Sequence, residues 1–195
     1  MDETKIIENT FAGVLKARGY RKRARNWFRT TSAGEYQVVN LQKSSWGGDN
    51  FYVNLGWHAA VPSGDFRAAH MCALALRAED TGVIPTIDYV RSDGLTAHNL
   101  PGILLLNSET RDRLPETALV EQLTEVVVVP ISDLMNRTPS LDDLVPLLTE
   151  KPCFVSRSVR EELRRRGHEL PWHTVTSTQS PDQSDTSDSN PPTAK

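Results

Sequence analysis

"NLQKSSWGGDNFYVNLGW", residues 40–57, is the stretch on which the fold turns. It reads as two strands, Tyr36–Lys43 and Phe51–His58, separated by the polar, glycine-containing connection SSWGGDN. Alternate residues of a strand point to opposite faces, so each strand presents one apolar and one mixed face. Each strand also carries an asparagine near its middle, Asn40 and Asn54, although asparagine is a poor strand former. A glycine turn that pairs Gln42 with Tyr52 sets Asn40 opposite Asn54 and Val38 opposite Gly56.

Working outward, the segment YRKRARNWFRTT upstream ends in a strand at about Arg25–Thr31, and SAGE supplies a short turn at Gly34. A turn pairing Thr31 with Tyr36 places Arg29 opposite Val38 and Trp27 opposite Asn40. On that register one face collects Phe28, Val39, Leu41, Phe51, Val53, Leu55 and Trp57, a core face that a helix can cover. The other face carries Trp27, Arg29, Tyr36, Asn40, Gln42, Tyr52 and Asn54, together with Val38 and His58. These first seven residues are the candidate binding face, since Trp, Tyr and Arg most often carry interface energy. The competing reading is an amide pair that only satisfies its own polar groups across the strands.

The covering helix spans residues 3–18, where Ile6, Ile7, Phe11, Val14 and Leu15 recur on one face and Gly19 provides the stop. Beyond a Pro62–Gly64 loop, Met71–Ala78 reads as a fourth strand, although its alanines and leucines also suit a helix. Residues 80–112 are punctuated by Gly82, Pro85, Gly94, Pro101 and Gly102. Within them Tyr89–Val90 and Ile103–Leu106 read as short strands or buried loop segments. A helix starts near Pro115 and runs towards Val129, where Pro130 is expected to kink or interrupt it. Ser140 begins a short helix carrying Leu141, Leu144, Leu147 and Leu148. Ser158 and Glu161 fit a capping box for a last helix that Gly167 closes. The order predicts a single α+β domain over residues 1–168. It has an N-terminal helix, an antiparallel sheet of about four strands and C-terminal helices. Residues 169–195, rich in Ser, Thr, Asp and Pro, read as a disordered tail.

Composition narrows the function. Of the 195 residues 38% are hydrophobic and 24% charged, with a net charge of -3, as in an ordinary soluble protein. No apolar run approaches the roughly 18 residues that span a bilayer, and the start MDETKIIEN lacks the apolar stretch of a secretory signal. With only Cys72 and Cys153, which form no disulfide framework, the expected setting is cytoplasmic. The tail is acidic and the body close to neutral, so nucleic acid is not an expected partner. It would need Lys16, Arg21, Arg23 and Arg25 in one continuous patch beside exposed aromatics.

No reaction motif emerges. His70 and Cys72 would share a strand face, but no second pair with ligand spacing completes a metal site. WGGD, residues 46–49, lacks the following helix and Lys-Ser/Thr of a phosphate loop. No serine sits in a nucleophile elbow. Neither a metal nor a cofactor is therefore expected. Acid pairs such as Asp142–Asp143 read as solvated charges. An enzyme remains an alternative if Arg29, Asn54, His58 and Arg77 converge in a polar pocket on the second sheet face.

Gly19, Tyr20, Lys22, Trp27, Phe28, Asn40, Gln42, Lys43, Ser44, Phe51, Tyr52, Asn54 and Gly56 form a pattern. A glycine and an aromatic close the first helix, then come an aromatic strand, an N-x-Q-K-S strand and an F-Y-x-N-x-G strand. This resembles the bacterial domain-of-unknown-function family 4304, over roughly residues 5–150 and most specifically over the first 60. The resemblance implies an α+β fold in a bacterial cytoplasm and no particular reaction. The expected function is a non-enzymatic, protein-binding module, with an immunity-like role as one version by fold-level analogy. The sequence names no partner and sets no oligomeric state.

Overall fold

A Schellman closure ends the first helix of the protein, whose computed structural model describes residues 3–45, 49–62, 64–90, 94–150 and 157–170. Helix α1 (Glu3–Ala17) buries Ile6, Ile7, Thr10, Phe11 and Leu15 along one stripe. Gly19, at φ 82°, turns the chain. The Tyr20 N–H then donates to the Leu15 carbonyl at 3.0 Å and the Gly19 N–H to Lys16 at 3.0 Å. Strands β1 (Arg21–Arg23), β2 (Asn26–Thr30), β3 (Tyr36–Lys43), β4 (Phe51–His58) and β5 (Leu74–Arg77) follow. They form one antiparallel sheet in chain order, β1 to β5.

The β3–β4 register is the expected one: Gln42 pairs with Tyr52, Asn40 with Asn54 and Val38 with Gly56. The β2–β3 register differs from expectation by one residue. Thr30, not Thr31, faces Tyr36, so Phe28 faces Val38 and Asn26 faces Asn40. The cause is the turn. The Thr31 N–H donates to the Glu35 carbonyl at 2.8 Å, which shortens the loop to Ser32, Ala33 and Gly34. Gly34 adopts the left-handed conformation, φ 77°, that such a three-residue loop requires. A shift of one residue moves every β2 side chain to the opposite face. Trp27 therefore joins the core and Phe28 leaves it.

Strand β1 is an addition to the expected sheet. It pairs with β2 through a two-residue turn at Ala24 and Arg25, with Ala24 at φ 50°. At the other edge only Leu74–Arg77 is strand; the preceding Ala69–Met71 is a 3₁₀ turn.

Residues 80–112 build a separate hairpin of β6 (Thr86–Val90) and β7 (Thr96–Pro101). After it, Gly102–Leu106 form a 3₁₀ turn that buries Leu105 and Leu106. A short helix, α2 (Ser108–Arg111), follows, and its Arg111 is buried. The Arg111 guanidinium bonds Glu3 Oε2 at 2.7 Å and the Asp49 carbonyl at 2.8 Å, tying α1 and the β3–β4 connection together.

The helix beginning after Pro115 does not stop at Pro130. Helix α3 (Glu116–Gln122) continues through a π-helical segment, Leu123–Val128, into α4 (Val129–Arg137). In the widened turn the Val129 N–H reaches back to the Thr124 carbonyl. That shift absorbs the disruption a proline causes in an α-helix, where it removes one backbone donor and crowds the preceding turn. The same segment carries Val126 against Gly102, where a Cβ would lie 2.2 Å from Val126 Cγ1 and 2.9 Å from the Pro85 carbonyl oxygen.

Ser140 caps the next turn. Its N–H and hydroxyl both donate to Asp143 Oδ2, at 2.9 and 2.7 Å, before α5 (Val145–Glu150). Helix α6 spans Arg157–Arg165, so Ser158 lies within it rather than before it. Glu35 anchors these last elements to the β2–β3 turn: it accepts from the Leu141 N–H at 2.9 Å and pairs with Arg166. One apolar cluster joins α1, the first sheet face, the α3–α4 run and α6, ending at Leu170. The tail was expected from residue 169, but Leu170 is packed in this cluster; the rest of the expected tail, residues 171–195, lies outside the described residues.

Candidate functional site

Both faces of the main sheet hold side-chain amides in mid-strand. On the face toward α1 and α4, Gln37 is fully buried. Its Oε1 accepts from the Tyr20 hydroxyl and from Arg29 Nε, each at 3.1 Å. Its Nε2 donates to the carbonyls of Met135 at 2.7 Å and Thr138 at 2.6 Å. The Thr138 carbonyl also accepts from Trp57 Nε1 at 3.0 Å. Gln37 thus clamps the C-terminal end of α4 to the sheet with both amide atoms satisfied.

Arg29 belongs to this clamp, not to the second face. It lies over the Tyr20 ring at 4.5 Å and donates to the carbonyls of Arg18 and Met135. Trp27 is 0% exposed and packs on Phe11 with ring centroids 5.5 Å apart. The one-residue register difference accounts for both corrections. Desolvation also pushes the buried Tyr20 phenol well above the usual tyrosine range, which keeps it a donor to Gln37.

The second face divides into two halves. The half nearer the β2–β3 turn is covered by the β4–β5 loop, where Phe28, Tyr36, Val38, Val61, Ala69 and Cys72 form a small apolar cluster. Gly56 permits that cover: a Cβ there would lie 2.8 Å from Cys72 Sγ and 3.1 Å from Ala69 Cα. Tyr36 is buried, and its hydroxyl donates to the Arg67 carbonyl at 2.9 Å. His58 Nδ1 accepts from the Ala73 N–H at 2.9 Å, and burial, with the Arg67 charge nearby, lowers its pKa. Burial pushes the Cys72 thiol up to about 12, so it packs as a neutral group.

The other half is open. One residue from each strand forms a row across the sheet: Arg23, Asn26, Asn40, Asn54 and Arg77 are successive cross-strand partners. Its amides bond in one direction. Asn54 Nδ2 donates to Asn40 Oδ1 at 3.0 Å, and Asn40 Nδ2 to Asn26 Oδ1 at 3.0 Å. Asn54 Nδ2 also donates to Gln42 Oε1 at 2.9 Å. The arginines at the two ends lie over aromatic rings, Arg23 over Phe66 at 5.0 Å and Arg77 over Tyr52 at 4.2 Å. The three asparagines and Tyr52 are half-exposed, and Arg23, Gln42 and Arg77 are exposed.

Of the expected face, then, the structure brings together Asn40, Gln42, Tyr52 and Asn54, places Tyr36 under the loop, and moves Trp27 and Arg29 to the core side. Sequence reasoning missed Asn26 and Arg23. Their signal was faint, because an all-cationic three-residue strand followed by Ala-Arg carries neither apolar alternation nor a turn glycine.

The four residues of the alternative pocket do not converge, because Arg29 is on the opposite sheet face from Asn54. His70 is exposed on a 3₁₀ turn, while Cys72 is half-buried beyond it, so the two do not share a strand face. Among the described residues no group of three or more His, Cys, Asp or Glu could hold a metal ion. The basic cluster is divided rather than continuous. Lys22 and Arg25 both pair with Glu8, at 2.9 and 2.8 Å, and Arg18 pairs with Asp133 at 2.9 Å. A cleft of about 370 Å³ beside the β6–β7 hairpin is lined by Asp88, Tyr89, Thr110, Arg113 and Gln122. Asp88 there is paired with His98 at 2.9 Å. Among the described residues no helix is long and apolar enough to cross a membrane.

The architecture defines an α+β protein, with an N-terminal helix and C-terminal helices packed on one face of a five-stranded antiparallel sheet. Within it, residues 11–71 match the family model described as a domain of unknown function, DUF4304. The match runs from Phe11 in α1 to Met71 and so is narrower than the 5–150 expected. It includes Arg23 and the three asparagines of the row, whereas Arg77 lies beyond it. No curated protein matches the chain, and no solved structure does.

Proposed function

We propose that this protein is a non-enzymatic binding module that holds a protein partner on the open half of the second sheet face. A bacterial cytoplasmic setting is part of this reading and rests on the family match and on two cysteines being too few for a disulfide framework. An immunity-like role, masking a partner's own surface, is one form it can take.

The supporting observation is the cross-strand row Arg23–Asn26–Asn40–Asn54–Arg77. Its amides are already oriented by one another, so a partner meets pre-arranged donors and acceptors rather than mobile side chains. Tyr52 adds a rigid amphipathic ring beside the row. Helices pack on the opposite sheet face, and the β4–β5 loop packs on the half of the second face nearer the β2–β3 turn.

The reading is tested with a photo-crosslinking residue at Gln42 and, as a control, at Glu116 on α3. A specific partner should crosslink from position 42 and not from 116. The Asn40→Ala, Tyr52→Ala double variant should lose it while melting close to the wild type. Equal crosslinking from both positions, or capture unaffected by the double variant, overturns the proposal.

A further inference from the structure

The row has a pattern of charge as well as a direction of hydrogen bonds, and it specifies a kind of partner. Both its ends are guanidinium groups, and its middle is neutral. Arg21, on the same face, lies over the Phe28 ring at 5.3 Å. Among the described residues, the carboxylate paired with an end of the row is Glu79, 3.5 Å from Arg77 Nη1, and both side chains of that pair are substantially exposed. Contact of that kind contributes little in water and leaves most of the guanidinium's donors available. The acids that neutralise the neighbouring cations serve the other side of the hairpin. Glu8 takes Lys22 and Arg25, and those hydrogen bonds hold its carboxyl below the usual range against the opposing effect of burial. Among the described residues the open half of the second face is therefore net cationic, in a protein whose overall charge is -3.

We infer that the partner presents an acidic protein segment with two carboxylate groups set to reach Arg23 and Arg77 across the amide row. The inference rests on the binding-face reading above and adds the partner's chemistry. Neighbouring strands lie roughly 4.8 Å apart, so four intervals separate the row's ends by roughly 19 Å. An extended chain advances roughly 3.3 Å per residue, so a segment crossing the strands spans that distance in about six residues. An even spacing puts both acids on one side of an extended segment. Between them its polar groups meet Asn26, Asn40 and Asn54. Ring contacts at Phe66 and Tyr52 restrict the two arginines, so less side-chain freedom is lost on pairing than at an unsupported surface arginine. A nucleic-acid strand is the weaker match, since the cations that would extend the patch are held by Glu8 and Asp133.

The test uses the whole protein and defined probes in fluorescence anisotropy. One probe is a Ser/Gly-rich peptide carrying glutamate pairs six residues apart; the second has glutamine at those positions; the third is an oligothymidylate. At low salt the glutamate peptide should bind at least about tenfold more tightly than the glutamine peptide, and salt near 0.5 M should remove most of the difference. Arg23→Ala and Arg77→Ala should each weaken it about fivefold, and Asn40→Leu should weaken it too, with melting temperatures held close to the wild type. Equal binding of both peptides, abolished by Asn40→Leu alone, overturns the acidic class and leaves the face standing. Binding of the glutamate peptide untouched by all three variants overturns both. No binding of the glutamate peptide at low salt, or tighter binding of the oligothymidylate through the same arginines, overturns the inference.

Discussion

The two faces of the main sheet place the same functional group in opposite circumstances. On the helix side a single amide, Gln37, is sealed from water and spends both its atoms on fixed partners, including two carbonyls at the end of α4. On the far side three asparagines satisfy one another in a row and keep spare valences toward solvent. A buried amide must be completely matched, because an unmatched polar group out of water costs about 1–3 kcal/mol. A half-exposed amide carries no such demand, since water completes its bonding. The first arrangement is a device for holding the fold, and the second is compatible with exchanging water for a partner.

That contrast is sharpest under substitution. Gln37→Leu should give the largest loss, about 3 kcal/mol or more, because it leaves the Tyr20 hydroxyl and the Met135 carbonyl without the amide in a dry site. Urea unfolding of the variant measures it, and a loss under 1 kcal/mol would refute the clamp. Gly56→Ala comes next, at about 1–3 kcal/mol, since the added methyl meets Ala69 backbone as well as the Cys72 and Val38 side chains. The same unfolding curves report it; a neutral result would mean the loop over the second face lifts freely. Asn40→Ala should cost only about 1 kcal/mol, the scale of one or two half-exposed hydrogen bonds. A loss as large as that of Gln37→Leu would make the row a structural element and weaken its claim to be an interface.

The smallest expected effect is a pH dependence. His58 accepts a backbone hydrogen bond and has a lowered pKa, so the fold favours its neutral form. The unfolded chain takes up a proton first as the pH falls through the ordinary histidine range. The His58 contribution is therefore complete above that range and declines below it. Melting temperatures of wild type and His58→Gln, compared between pH 8 and pH 5, should converge toward the acid end. Parallel curves would show that the imidazole does not couple to folding.

Much of this was legible in the chain. Alternation in Phe51–His58 is strong and Tyr36–Lys43 is rich in strand formers, and the β3–β4 pairing follows from them together with the polar connection. The stripe of α1 and its glycine stop are equally local signals. Half of the candidate site, Asn40, Gln42, Tyr52 and Asn54, was readable for the same reason: those residues belong to the well-patterned pair. Strand β2 was not. In Asn26–Thr30 the neighbours Trp27 and Phe28 are both aromatic, so composition cannot tell which one points inward. The left-handed Gly34 decided it by setting the loop length, and Trp27 and Arg29 changed faces together.

Other features depend on contacts between segments distant in the chain. Nothing local to Pro130 says that a π turn will carry the helix through it; the fit of Val126 against Gly102 belongs to the assembled protein. Nothing near Gln37 announces the carbonyls of Met135 and Thr138 about a hundred residues away. Arg23 and Arg77 reach the row from the two edge strands, and Asn26 from β2, whose register the turn sets. By itself the sequence determined the elements whose periodicity is strong and the sense of the central pairing, because those depend on neighbours along the chain. The tertiary structure alone decided which amides are buried and which remain open, because burial is set by what packs on each face from elsewhere in the chain.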